Sequence, residues 1–134
     1  MAAHVITSEA STGAVTGAPR VWLRLEGIAA LAAGGVLYLR TGGEILWLVP
    51  LLLLVDASMI GYVAGTGPGA VVYNFVHNWA IGLVFLGVGS TLASTPLILA
   101  GAVLVGHVGM DRFAGYGLKY PTAFRDTHLG RLGR

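Results

Sequence analysis

Four long apolar runs, separated by short polar or glycine-rich breaks, organise this 134-residue chain. The first extends from about Val21 to Leu39 and ends at Arg40-Thr41-Gly42-Gly43, a turn sequence. The second covers Glu44 to Ala64, with Pro50 inside it, and stops at Gly65-Thr66-Gly67-Pro68-Gly69. The third continues from Ala70 to about Gly89. Ser90 to Thr95 form a polar break, Pro96 sits where the first turn of a helix accepts proline, and the fourth run spans Leu97 to about Gly115. Each run is near the roughly 20 residues that a helix needs to cross about 30 Å of hydrocarbon. The expected fold is all-α, an integral membrane bundle of four transmembrane helices with spans at 21–39, 44–64, 70–89 and 97–115, within a domain covering 20–118. Connections of about four to six residues make sequential helices antiparallel.

The two ends have a different character. Residues 1–19 are rich in Ala, Ser, Thr and Gly, with neither an apolar core nor a basic start, and read as a flexible tail rather than a cleavable signal. Residues 119–134 read as a basic cytoplasmic tail. Within it, Phe124, His128, Leu129 and Leu132 have near-helical spacing, which predicts a short amphipathic segment able to lie on the membrane surface and close a pocket.

Charge sharpens this picture. Eight Lys/Arg and six Asp/Glu make up 10% of the chain, against the roughly one quarter usual for a soluble domain. Between Gly27 and Met110 the only charged residues are Arg40, Glu44 and Asp56. An ordinary soluble domain and a disordered chain are both excluded. Arg20, Arg24, Arg112, Lys119, Arg125, Arg131 and Arg134 fall on the side of the termini and only Arg40 opposite, which predicts both termini in the cytoplasm. The expected location is a membrane bordering the cytoplasm, with the lipid bilayer as partner. No aromatic–basic interleaving points to nucleic acid. The absence of cysteine excludes disulfides, thiolate metal sites and a cysteine nucleophile.

Small residues at four-residue intervals (Ala29 and Ala33; Ala57, Gly61 and Gly65; Ala102 and Gly106) predict close helix packing, within one bundle or in a homo-oligomer.

Ionisable groups inside apolar spans are expensive and ask for a reason. At about 1.5 Å per residue, Glu26, Asp56, His77, His107 and Asp111 all fall in the cytoplasmic half, one or two from each span. His107 and Asp111 are four apart and share a helical face, as do Tyr73 and His77, and Asn74 and Asn78. Asp111 is therefore expected to orient His107 through a ring N–H, while Arg112 points away toward headgroups. Three readings compete: a hydrogen-bonded network that sets helix pairing or oligomerisation, a site for chemistry, and a proton or ion pathway that needs an oligomer. The chemical reading makes Glu26, Asp56, His77, His107 and Asp111 the catalytic candidates. Tyr62, Tyr73, Asn74, Asn78 and Lys119 are then candidate contacts to a lipophilic substrate. His77, His107, Asp111 and Asp56, with His128 if the tail folds back, form an oxygen-and-nitrogen set suited to a divalent zinc, iron or manganese ion. Without a metal the same groups suit acid–base work. Gly115-Tyr116-Gly117-Leu118-Lys119 lacks the spacing of a phosphate loop and reads as the end of the fourth helix. Lys119 and Tyr120 then reach the interface, the alternative for Lys119 being contact with an anionic, phosphate-bearing lipid.

These polar landmarks resemble a family. Arg24-Leu25-Glu26-Gly27, Asp56 with Met59 and Gly61-Tyr62, Tyr73-Asn74 with His77, then His107, Asp111-Arg112, Gly115 to Pro121, Phe124 and Thr127 to Gly130 look like small bacterial membrane proteins grouped as domain of unknown function 4260. The resemblance covers about residues 22–131 and is most specific from His107 to Gly130. It implies a four-helix membrane protein and carries no activity. The function expected is a membrane-embedded enzyme, metal-dependent or acid–base, acting on a lipophilic substrate.

Overall fold

The structure, a computed structural model, describes residues 13–133. The expectation of a flexible tail therefore lies mostly outside the described residues. Four helical stretches are long and apolar enough to cross a membrane: Gly17–Arg40, Ile45–Ala64, Thr66–Thr91 and Thr95–Ala114. Two of the four are not single α-helices.

The first, α1 (Gly17–Arg40), is continuous and starts earlier than its apolar run: Gly17 leads in at φ 64°, and Ala18 and Pro19 fit a first turn. The second begins as α2 (Ile45–Leu54) and continues as a 3₁₀ helix over Val55–Ala64. Its burial follows a period of three: Ala57, Ile60 and Val63 are exposed, while Asp56, Met59 and Tyr62 are partly covered, as are Val55, Ser58 and Gly61. That is the 3₁₀ repeat, and it breaks the four-residue stripe expected from Ala57, Gly61 and Gly65. Gly65 alone, at φ 112°, then reverses the chain, so Thr66 already opens the next helix instead of belonging to a five-residue loop.

The third stretch is interrupted. α3 (Thr66–Val76) ends at His77, and α4 (Trp79–Thr91) begins after Asn78, whose side chain caps it by accepting from the N–H of Ile81. The fourth, α5 (Thr95–Ala114), has Pro96 in its first turn and Gly115 at φ 93° beyond its last, the left-handed stop that glycine allows.

α5 is the central helix. It packs against α1 on one side and α4 on the other, while α3 packs on the 3₁₀ segment. Contact with α1 is backbone-close: a Cβ on Gly27 would lie 2.7 Å from the Gly109 carbonyl oxygen, and one on Gly34 2.6 Å from that of Ala102. Ala102 and Gly106 belong to the interface as expected, but their small partner on α1 is Gly34, with Gly27 meeting Gly109 further along; Ala29 and Ala33 are exposed. At one end of α5, Tyr38, Ala102 and Val103 form an apolar core with Leu48, Leu51, Leu52, Val55 and Leu99 around it. At the other end the interior is polar.

After α5 the chain does not trail away as a helical tail. Residues 116–133 fold back over the polar end and include a small antiparallel hairpin, β1 (Asp126–Thr127) and β2 (Gly130–Arg131). Within it, Thr127 and Leu129 are buried. The amphipathic-helix expectation fails because Leu118, Tyr120 and Leu132 spend their backbone N–H or C=O groups on non-helical bonds to His128, Asp126 and Arg125.

A candidate metal centre at the polar end

Asp56, His77, His107 and Asp111 each direct one ligand atom to a common point, the four atoms lying within 4.8 Å of one another. His77 Nε2 is 2.9 Å from His107 Nε2. Asp56 Oδ1 lies 3.3 Å from the first and 3.4 Å from the second, and Asp111 Oδ2 lies 3.7 Å from each. The two imidazoles are wholly buried, whereas the Asp56 side chain is 35% exposed and forms the accessible edge.

Local irregularity builds this cluster. The 3₁₀ winding sets Asp56 in register with Met59 and turns both toward the interior. The break after Val76 frees His77 from a regular helical face and lets it reach α5. There His107 and Asp111 arrive together as an i, i+4 pair on one straight helix.

The surroundings are specific. His77 Nδ1 lies 3.0 Å from the Tyr73 carbonyl oxygen. A carbonyl only accepts, so Nδ1 carries the hydrogen and Nε2 of the neutral ring presents its lone pair to the cluster. Ser58 Oγ is 3.4 Å from the same Nδ1. The Tyr73 ring stacks on the His77 ring at 3.7 Å, and its hydroxyl donates to Asp111 Oδ2 over 2.7 Å. Arg112, buried, donates through Nη2 to the His77 carbonyl at 3.2 Å and through Nη1 to that of Tyr116 at 3.1 Å. It thus satisfies a backbone group released by the helix break and does not point to headgroups.

Several expectations need correcting. Glu26 is exposed on α1 and lies outside the cluster. Asp111 does not orient His107 from behind: it faces the same Nε2 that faces His77, and His107 Nδ1 is buried with no hydrogen-bond partner among the described residues. His128 folds back yet stays apart, its Nδ1 accepting from the Leu118 N–H at 2.8 Å. Burial holds the His128 pKa below its ordinary value.

The candidate substrate contacts divide. Asn78 caps α4, and Asn74 is occupied with the Lys119 backbone, accepting from its N–H at 2.7 Å and donating to its carbonyl at 2.8 Å. Tyr62 meets Phe124 edge to face at 5.0 Å. Tyr73 and Lys119 line a cavity of about 360 Å³ that contains the Asp56 and Asp111 carboxyls. Of the apolar walls of that cavity, Phe124 and Leu132 belong to the segment expected to close a pocket and Met59 to the family landmarks, whereas Met110 was not singled out in the sequence. Nothing in the pattern distinguishes Met110 from a lipid-facing residue.

Lys119 is 4% exposed. Its Nζ donates to the Phe124 carbonyl at 2.9 Å and lies over the Phe124 ring at 3.9 Å and the Tyr73 ring at 4.9 Å. Burial lowers its pKa, and the charges of Asp111 and Asp56 oppose that shift. Among the described residues it makes no ion pair.

No curated protein and no solved structure matches the chain significantly. A family model does, over residues 20–132, which takes in all four helices, the His/Asp cluster and the folded-back segment. The chain belongs to the family described as Domain of unknown function (DUF4260).

Proposed function

We propose that this chain is an integral membrane protein, with both termini in the cytoplasm, whose Asp56, His77, His107 and Asp111 bind a divalent cation that serves chemistry on a lipophilic molecule. Membrane residence is supported by the helix lengths and by the many large apolar side chains left exposed, among them Leu46, Ile60, Val63 and Val71. Seven of the eight Lys/Arg on the terminal side support the orientation.

The observation that carries the metal reading is the 2.9 Å separation of His77 Nε2 and His107 Nε2. With the His77 lone pair turned inward, the close approach calls for either a hydrogen on His107 Nε2 or a metal ion between the two nitrogens. Two carboxylate oxygens beside the same point favour a metal ion over a proton. An ion about 2.0–2.1 Å from its donors spaces them about 3.3–3.4 Å apart in a tetrahedral set and about 2.9 Å apart at a right angle. The five separations that involve an imidazole, 2.9 to 3.7 Å, bracket these values, and the two carboxylate oxygens are the widest pair, within 4.8 Å. Two imidazoles with two carboxylates suit zinc, iron or manganese. Such an ion would act as a Lewis acid and would lower the pKa of a bound water. The protein's share is to hold the ligands, through Tyr73 on His77 and Asp111, and to admit a substrate from the Asp56 edge.

The competing reading is a network in which one proton bridges the imidazoles and only helix pairing is served. Metal analysis of the full chain purified in detergent separates the two. About one divalent ion per chain is expected, lost in a His77→Ala/His107→Ala double variant, with chelator lowering the melting temperature of the wild type alone. Wild type with no more metal than the double variant would leave the structural network.

A further inference from the structure

The cavity beside the cluster has a charge balance that depends on the metal. Asp56, Asp111 and Lys119 line it, and Arg112 is buried at the same end of the bundle, bonded to the His77 and Tyr116 carbonyls, which sets two negative against two positive groups there. Without an ion they neutralise one another. A divalent cation leaves two positive charges in excess where water is scarce, and such an excess demands an anion. Lys119 is the group best placed to take it. Its ammonium has three hydrogens, the Phe124 carbonyl accepts one, and the side chain lines the same cavity as Asp56 and Asp111.

The rest of the cavity is not built for a small hydrated anion. Met59 and Met110 from two spans, with Phe124 and Leu132 from the folded-back segment, supply apolar walls, and methionine accommodates irregular aliphatic shapes. At about 360 Å³ the volume is at the small end of the roughly 300–1,000 Å³ typical of small-molecule sites. Resting on the metal reading above, we infer that this cavity binds an amphiphile with a phosphate head. The phosphate oxygens lie between Lys119 Nζ and the cation, and the apolar body lies against Met59, Met110, Phe124 and Leu132. A phosphate monoester matches the excess charge, carrying nearly two negative charges near neutral pH. Lys119 is then the specificity-determining residue for the head.

The test uses the full chain in a neutral detergent, loaded with cobalt(II) or stripped with chelator, and three probes: decyl phosphate, inorganic phosphate and a neutral decyl glycol ether. Decyl phosphate is expected to shift the visible bands of bound cobalt and to bind more tightly than either other probe. Lys119→Gln should weaken it by about tenfold or more, and Lys119→Arg should restore it in large part. The band shift in wild type is read without any variant, so misfolding of Lys119→Gln does not decide the matter. Inorganic phosphate binding as tightly as decyl phosphate would overturn the amphiphile, leaving a free anion as ligand. Equal binding of the neutral ether would overturn the phosphate head. Cobalt bands that no probe moves would overturn the inference and leave the metal site standing. Lys119-dependent binding of decyl phosphate to a chain that holds no cobalt would support the pocket and sink the metal reading.

Discussion

Arg112 donates to the carbonyl oxygen of His77, and this 3.2 Å bond ties the break in the third helical stretch to the helix that carries the other half of the cluster. Irregular backbone inside a membrane is tolerated where protein satisfies the freed groups. Here the guanidinium does so with two donors aimed at two carbonyls, His77 and Tyr116, a geometry that its rigid fork can supply.

Arg112→Leu should therefore destabilise the fold by at least about 1–3 kcal/mol, the cost of one unsatisfied buried polar group. Arg112→Lys keeps the charge and loses the fork, and is expected to fall between. Thermal or denaturant unfolding in detergent checks the order, and an Arg112→Lys variant as stable as wild type would refute the role of the fork.

Tyr73→Phe removes the hydroxyl that donates to Asp111 Oδ2 and leaves the ring stacked on His77. Metal affinity should drop by about 10–100-fold, as when a partner that holds a ligand is lost. Stability without metal should change by only about 0.5–1.5 kcal/mol. Competition with a chromophoric chelator measures the first and unfolding of the stripped chain the second.

Glu26→Gln is the negative control that the geometry supplies. Glu26 is exposed on α1, so metal content and affinity should match wild type. Loss of the ion in this variant would place Glu26 in the site against the structure.

Gly27→Ala and Gly35→Ala differ by what a Cβ meets. At Gly27 it would lie 2.6 Å from the Phe113 nitrogen and 2.7 Å from the Gly109 oxygen, whereas at Gly35 nothing stands within 4 Å. The first should cost about 1–3 kcal/mol by forcing α1 off α5. The second should stabilise by up to about 1 kcal/mol through helix propensity. Unfolding of both variants in the same detergent tests the contrast.

His128 gives the folded-back segment a pH dependence. Its Nδ1 accepts from Leu118, and burial keeps its folded-state pKa below the usual value of about 6.5. The unfolded form then takes up the proton first. The stabilisation is complete above about 6.5 and falls as pH drops from there through the folded-state pKa. The protection factor of the Leu118 amide, which corrects for the slower intrinsic exchange in acid, should fall at mildly acid pH. Replacing His128 with Gln should flatten that dependence.

Much of this was readable along the chain because lipid imposes simple rules. Helices long enough to span, the proline and glycine that bound α5, and the few ionisable residues inside the apolar runs follow from solvation and backbone sterics, and each is local. Asp56, His77, His107 and Asp111 stood out because each is costly where it sits. Glu26 was costly by the same argument, and depth alone could not tell which way it faced.

Direction was left to the tertiary structure. An α-helical wheel misplaces residues 55–64, because packing against α3 and the turn at Gly65 hold them in a 3₁₀ repeat. The break at His77–Asn78 survives through Asn78, an N-cap residue type embedded in an apolar run, and through Arg112, which signals no break by residue type. Tyr73 acts on His77 through a carbonyl and on Asp111 through a hydroxyl, and no spacing rule encodes that pair of contacts. The sequence by itself determined the solvent this chain suits and which groups that solvent penalises. Which of those groups meet was decided only in three dimensions, because their meeting depends on where helices are broken, tightened and capped by residues distant in sequence.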